Sequence, residues 1–201
     1  QGLATDPAAC DAARRYIQSL GVYGAVSVVP YDGKSLPYVD NLVNLVVIGD
    51  TSEMQDAGSE ILRVLTPRGV AVVREKGNEA WLSRIPHPAR RIGDGFMMFA
   101  KPVPAEIDEW PHYLYGHDNN AVSQDTAVGP PQQMQWVCGP KYARSHEINS
   151  SMAALVSAGG RLFYIWDEGP LGLTDPRFPP KWSLIARDAF NGTLLWKRPM
   201  P

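Results

Sequence analysis

Three acids stand where the chain leaves apolar, strand-like runs: Asp6 after Gly2-Leu3-Ala4-Thr5, Asp32 after Ala25 to Val29, and Asp50 after Leu42 to Ile48. Carboxylates at the carboxyl ends of strands can accept hydrogen bonds from a ligand, and open α/β sheets bind ligands at those ends. Asp6, Asp32 and Asp50 are therefore the candidate nucleotide-type site. The four histidines, His87, His112, His117 and His146, show no metal-like spacing with an acid. The segment His112 to Asp118 comes nearest to a ligand cluster, but its loop spacing suits hydrogen bonding or packing, and no metal site is expected. Ser145-His146-Glu147 has the composition of a nucleophilic site. Adjacent residues on a strand alternate faces, so these three cannot line up as a triad. Cys10 and Cys138 are far apart and are expected as buried free thiols.

The elements that position the first two acids can be read from local pattern. Asp6-Pro7 is a helix start, with an acidic N-cap and proline at the first position, where no N–H is needed. The helix runs from Ala8 to Leu20, with Ala13, Ile17 and Leu20 on one face, and Gly21 stops it. Ala25 to Val29 is β-branched and bounded by Gly24 and Pro30, which predicts a strand. Leu42 to Ile48 is nearly continuous apolar sequence, as in a strand covered on both faces. A second helix is predicted from about Ser52 to Leu65, with Ile61, Leu62 and Leu65 facing inward. Thr66 to Gly69 turns the chain, and Val70 to Val73 is a further buried strand. This alternation is that of a doubly wound parallel sheet. Glu75 to Gly95 reads as a charged, turn-rich connector, and Gly95 to Pro102 as one more strand. Pro102-Val103-Pro104 is a stiff link, so the boundary is placed near Pro104.

Asp6 opening a helix, Tyr31 to Tyr38, Leu45-Val46-Val47, and Ile61 to Gly69 together resemble a class I S-adenosylmethionine-dependent methyltransferase over roughly residues 1–75. The resemblance implies that Asp6 binds ribose hydroxyls, that Asp32 contacts adenine, and that Leu65 to Gly69 forms the turn before the fifth strand. It also implies that the chain begins at what would be the second strand, without the glycine-rich loop after the first. Asn44 stands where many members keep an acid, and Arg68 replaces the first glycine of the Pro-Gly-Gly turn.

After Asp108-Glu109-Trp110 the pattern changes to short strands, turns and spaced tryptophans. Gln133 to Val137 reads as a short strand. Ala153 to Ala158 and Arg161 to Trp166 flank Gly159-Gly160 as a hairpin. Trp182 to Asp188 and Thr193 to Lys197 flank Asn191-Gly192 as a second hairpin. Four antiparallel strands make one propeller blade. Leu184 to Trp196 resembles the repeat of pyrroloquinoline-quinone (PQQ)-type propellers, which implies that Asp188 accepts turn amides and that Trp196 packs between blades. Trp136 would be the tryptophan of the preceding blade, with Gly169 to Pro180 as an insertion.

The fold class expected is therefore α/β plus all-β: a partial Rossmann-like parallel sheet over residues 1–104, then one or two antiparallel propeller blades over residues 105–201. A net charge of −2 gives no basis for nucleic-acid binding, and no apolar run is long enough to cross a membrane as a helix. The expected function is that of a binding or scaffold region of a multidomain quinoprotein-like protein. Its expected partners are further blades or other domains. The alternatives are part of a PQQ-dependent oxidoreductase, for which Asp167, Glu168 and Arg187 are available, or part of a methyltransferase. Cofactor and location are left open by the residues; resemblance alone points to PQQ or S-adenosylmethionine for the first and to a periplasmic or exported place for the second. The residues leave open whether any catalysis exists.

Overall fold

The computed structural model describes residues 1–49, 56–83, 85, 88–130, 134–139, 152–172 and 175–201. They form two compact units, Gln1–Lys101 and Pro102–Pro201.

In the first unit, β1 (Gly2–Ala4) pairs in parallel with β2 (Val28–Pro30). The connection is α1 (Pro7–Ser19), which starts where Asp6-Pro7 predicts. Cys10 and Ile17, two turns apart, are its buried residues. Leu20 was expected on this face; it caps the C-terminus and is exposed. β2 is shorter than its β-branched run suggests, because the chain before it is folded into a turn in which Val26 N donates to Val22 O and Gly24 N to Val26 O. Arg14 on α1 donates from Nε to Val28 O at 2.9 Å and holds the helix against β2.

A second sheet combines β3 (Val43–Ile48), β4 (Leu65–Arg74), β5 (Arg90–Ile92) and β6 (Phe96–Ala100) in the order β3-β4-β6-β5. β3 and β4 are parallel, joined through α2 (Ala57–Val64), and the other two pairings are antiparallel. The β1–β2 and β3–β4 pairs are each parallel, as neighbouring strands of a doubly wound sheet are, but among the described residues they belong to two separate sheets.

The turn expected at Thr66 to Gly69 lies inside β4 as an irregularity of register, where Val43 pairs with Leu65 but Leu45 with Val70. Arg68 takes a left-handed φ of 69° there. A Cβ on Gly69 would lie 2.8 Å from Thr66 O and 3.0 Å from Val43 O, both backbone atoms, so the crossing of β3 and β4 needs glycine at this point.

The two faces of this sheet differ. Val46, Ile48, Ala71, Val73 and Phe99 pack with Ala57 and Ile61 of α2 and with Trp81 and Leu82 of α3 (Glu79–Leu82). Phe99 and Trp81 meet edge to face with centroids 6.4 Å apart. The opposite face carries Leu45 and Val47, which are 57% and 66% exposed. Their register partners Val70 and Val72, and Met98 opposite Val72, are only half-buried. The expectation that Leu42 to Ile48 is covered on both faces is thus corrected, because the described helices that touch this sheet pack on one side of it. The segment expected to be a connector contains α3 and β5. Its hidden determinant is Asn78, fully buried, whose amide donates to Arg74 O at 2.8 Å and Gly49 O at 3.3 Å and accepts from Trp81 Nε1 at 3.1 Å.

The second unit holds one four-stranded antiparallel sheet, β7 (Met152–Ala158), β8 (Arg161–Asp167), β9 (Trp182–Asp188) and β10 (Leu194–Pro199), in meander order. Gly159 and Gly160 have φ of 61° and 72°, the positive pair that a tight hairpin turn requires. Between β8 and β9 the chain makes an excursion closed by Asp167, whose Oδ1 accepts from Gly169 N and Lys181 N, each at 2.9 Å. Among the described residues this is the single sheet of the unit, and no closed ring of blades is formed. Trp196 is 36% exposed and packs within its own sheet. It lies 6.0 Å from Phe163 across the fully buried Ala186, and the Arg198 guanidinium sits 5.4 Å from its ring. The strand expected at Gln133 to Val137 is absent over its described part, Met134 to Val137. Trp136 and Gln135 spend their side chains instead on the β9–β10 turn, donating to Ala189 O and Phe190 O, each at 3.2 Å.

Candidate functional site

β1 and β2 bring two of the three acids to adjacent turns. Ala4 pairs with Pro30, Tyr31 N donates to Ala4 O at 3.0 Å, and each acid follows its strand by two residues. Both acids are exposed, and each is engaged by its own backbone. Asp6 Oδ1 accepts from Ala8 N at 3.0 Å and Oδ2 from Ala9 N at 3.2 Å, so the carboxylate is the N-cap of α1. Asp32 Oδ1 accepts from Lys34 N at 3.0 Å, closing a turn in which buried Gly33 has φ 78°. Asp50 lies outside the described residues, as do His87, His146 and the Ser145-His146-Glu147 cluster.

The loop that carries Asp32 is held by two residues that sequence reasoning passed over. On α2, Glu60 Oε2 accepts from Leu36 N at 2.8 Å. Arg63 donates to Tyr38 O at 2.7 Å, to Leu36 O at 3.0 Å and to Asp40 Oδ1 at 2.8 Å, while its Nε meets Glu60 Oε1 at 2.8 Å. The two are three residues apart on one helical turn, which puts them side by side. That spacing is visible in the sequence, but nothing there points to a loop more than twenty residues upstream. The hydrogen bond from Arg63 holds the Glu60 carboxyl below its ordinary value, and Glu60 and Asp40 raise the guanidinium in turn. Because the folded-state value of Glu60 is depressed, its contribution is present above the ordinary carboxylate range and is lost as pH falls through the folded value. Arg63→Ala removes the donor to both loop carbonyls. It should cost about 1–2 kcal/mol and accelerate amide exchange at Leu36 and Tyr38 while β4 and β6 keep their protection. Unchanged exchange in the loop would mean that Arg63 does not hold it.

Tyr31, between the two acid-bearing turns, has a hydroxyl that is buried without a hydrogen-bond partner. Burial raises its pKa, and the charges of Asp32 and Glu60 act in the same direction.

In the second unit the polar clusters are occupied in holding loops. The His112 to Asp118 segment is fastened by Asp108, whose Oδ2 accepts from Tyr115 O–H at 2.6 Å and Gln124 N at 2.8 Å. His112 Nδ1 lies 3.3 Å from Tyr115 O. Asp167 and Arg187 occupy opposite ends of the β8–β9 ladder, pairing with Trp182 and Leu162 respectively. Glu168 bonds Lys197 and Ser183, and Arg187 donates to Tyr164 O–H and Gly192 O. Among the described residues no group of three or more His, Cys, Asp or Glu is arranged to hold a metal ion. Cys10 is a buried free thiol, and Cys138 is free and half-buried rather than buried. No described helix is long and apolar enough to cross a membrane.

No family model matches the chain, and no curated protein matches it. Among solved structures, part of the chain is similar to the cyclase SpnF, with 30% identity and a TM-score of 0.33, covering 36% of this chain and 28% of that one. Part is also similar to a protein described as a sarcosine dimethylglycine methyltransferase from Galdieria sulphuraria, with 20% identity and a TM-score of 0.32, covering 41% of this chain and 36% of that one. The chain thus spans about a third of either structure.

Proposed function

We propose that this chain is a binding or scaffold region of a multidomain protein, without catalysis of its own. One observation carries this reading: Asp6 spends both carboxylate oxygens on backbone amides of its own turn, and Asp32 spends Oδ1 on the amide of Lys34. An Asp6 carboxylate that caps α1 with both oxygens gives up helix stability, about 1 kcal/mol for a typical N-cap, if it turns to a ligand. The β7–β10 meander with its Asp188 to Gly192 turn supports a propeller-type repeat as the form of the second unit.

A second reading, a region of an S-adenosylmethionine-dependent methyltransferase, is favoured by a different observation. The Asp6 and Asp32 turns leave neighbouring parallel strands side by side, and Glu60 and Arg63 hold the Asp32 loop in one position. Titration calorimetry of the chain with S-adenosylmethionine separates the two. The scaffold reading expects no saturable heat. Micromolar binding that Asp32→Ala abolishes would replace it with the methyltransferase reading.

A further inference from the structure

Asn191-Gly192 is the single Asn-Gly pair in the sequence. An asparagine followed by glycine is the pair most open to attack by its own backbone, since the glycine has no side chain to hinder the approach. The reaction needs the Gly192 amide nitrogen to reach Asn191 Cγ. In the folded hairpin three features oppose this. Gly192 N–H donates to Asp188 O at 3.0 Å, and the Asn191 carboxamide is turned to accept from Thr193 N at 3.1 Å. The third is Trp136. Its indole lies so close over Gly192 that a Cβ there would fall 2.6 Å from Cδ2, and its Nε1 is bonded to Ala189 O. The turn is thus fastened from inside by Asp188 and covered from outside by a residue more than fifty positions earlier.

We propose that Asn191 is a deamidation site whose rate is set by the docking of Trp136. When the indole lifts and the turn opens, the Gly192 nitrogen attacks Asn191 Cγ and loses its proton. The Cγ–Nδ2 bond breaks and ammonia leaves, closing a five-membered succinimide. Water then adds to either imide carbonyl, giving aspartate or isoaspartate, with no change in oxidation state. The isoaspartate product carries an extra backbone carbon through the turn, so Gly192 no longer sits under the indole and the modification holds Trp136 off. For the isoaspartate product the docked and undocked states thereby become an irreversible pair, the second formed only from molecules that have opened.

The test compares deamidation rates by mass spectrometry in mildly alkaline buffer for the full chain, its Trp136→Ala variant and a peptide spanning residues 186–197. The full chain should deamidate at least about tenfold more slowly than the peptide, since attack requires local opening. Trp136→Ala should recover most of that difference while circular dichroism still reports the sheet. Should that variant fail to fold, Trp136→Phe keeps a ring over the glycine, loses the bond to Ala189 O, and should give about a threefold acceleration. A full chain as fast as the peptide, or folded Trp136 variants no faster than the parent chain, overturns the proposal.

Discussion

Gly192→Val should lower the stability of the second unit by about 2–5 kcal/mol. Two independent costs meet at this position. Its φ of 71° is left-handed, a conformation that costs an L-residue about 1–2 kcal/mol and a β-branched one more. The new side chain would also occupy the place of the Trp136 indole, and overpacking of this kind typically costs about 1–3 kcal/mol. Denaturant unfolding followed by tryptophan fluorescence measures the sum, and a double-mutant cycle separates its parts. In a Trp136→Ala background the steric share should disappear and only the backbone share remain. An unchanged penalty in that background would show that the indole does not press on the turn.

Phe99→Ala should cost the first unit about 3–5 kcal/mol, the usual loss for emptying an aromatic site in a core. Phe99 is 1% exposed, stands opposite Ala71 in the β4–β6 ladder and meets Trp81 edge to face. Its neighbours are poorly placed to fill the gap. Ala71 has no length to offer, and the Trp81 indole is tethered through Nε1 to Asn78. The cavity should therefore persist, and the loss should fall toward the upper end of the range. A shift of the denaturation midpoint at constant slope measures it. A cost below about 1 kcal/mol would mean that the sheet and its helices do not share one core.

Much of the local architecture was legible because local chemistry determines it. Asp6-Pro7 announces the start of α1 through a cap that needs only four consecutive residues. Gly159-Gly160 announces a hairpin because few other pairs accept positive φ at both positions, and at Asn191-Gly192 the glycine alone takes the positive φ that its turn requires. Long-range contacts left no such trace. The strand expected at Gln133 to Val137 has strand-like residues, but Gln135 and Trp136 are drawn to carbonyls of a turn more than fifty residues later. Asn78 looks like any polar loop residue until the backbone carbonyls of Arg74 and Gly49 converge on its amide. The candidate acids were legible as to place: Asp6 and Asp32 do follow neighbouring strands. Their occupation by backbone amides was half legible, since an acid before proline at a helix start is a cap as readily as a ligand site. The Glu60–Arg63 clamp was the least legible, because a charged pair on a helix face usually looks outward and here reaches a loop.

The one-sided cover of the β3–β4–β6–β5 sheet bears on how the first unit responds to temperature. The heat capacity change of unfolding follows the apolar surface newly given to water. Leu45 and Val47 already meet water in the folded state, and Val70, Val72 and Met98 meet it in part. Their exposure on unfolding therefore adds little. The first unit should have a shallower stability curve than a sheet of the same length buried on both faces, losing less of its stability for each degree away from its optimum.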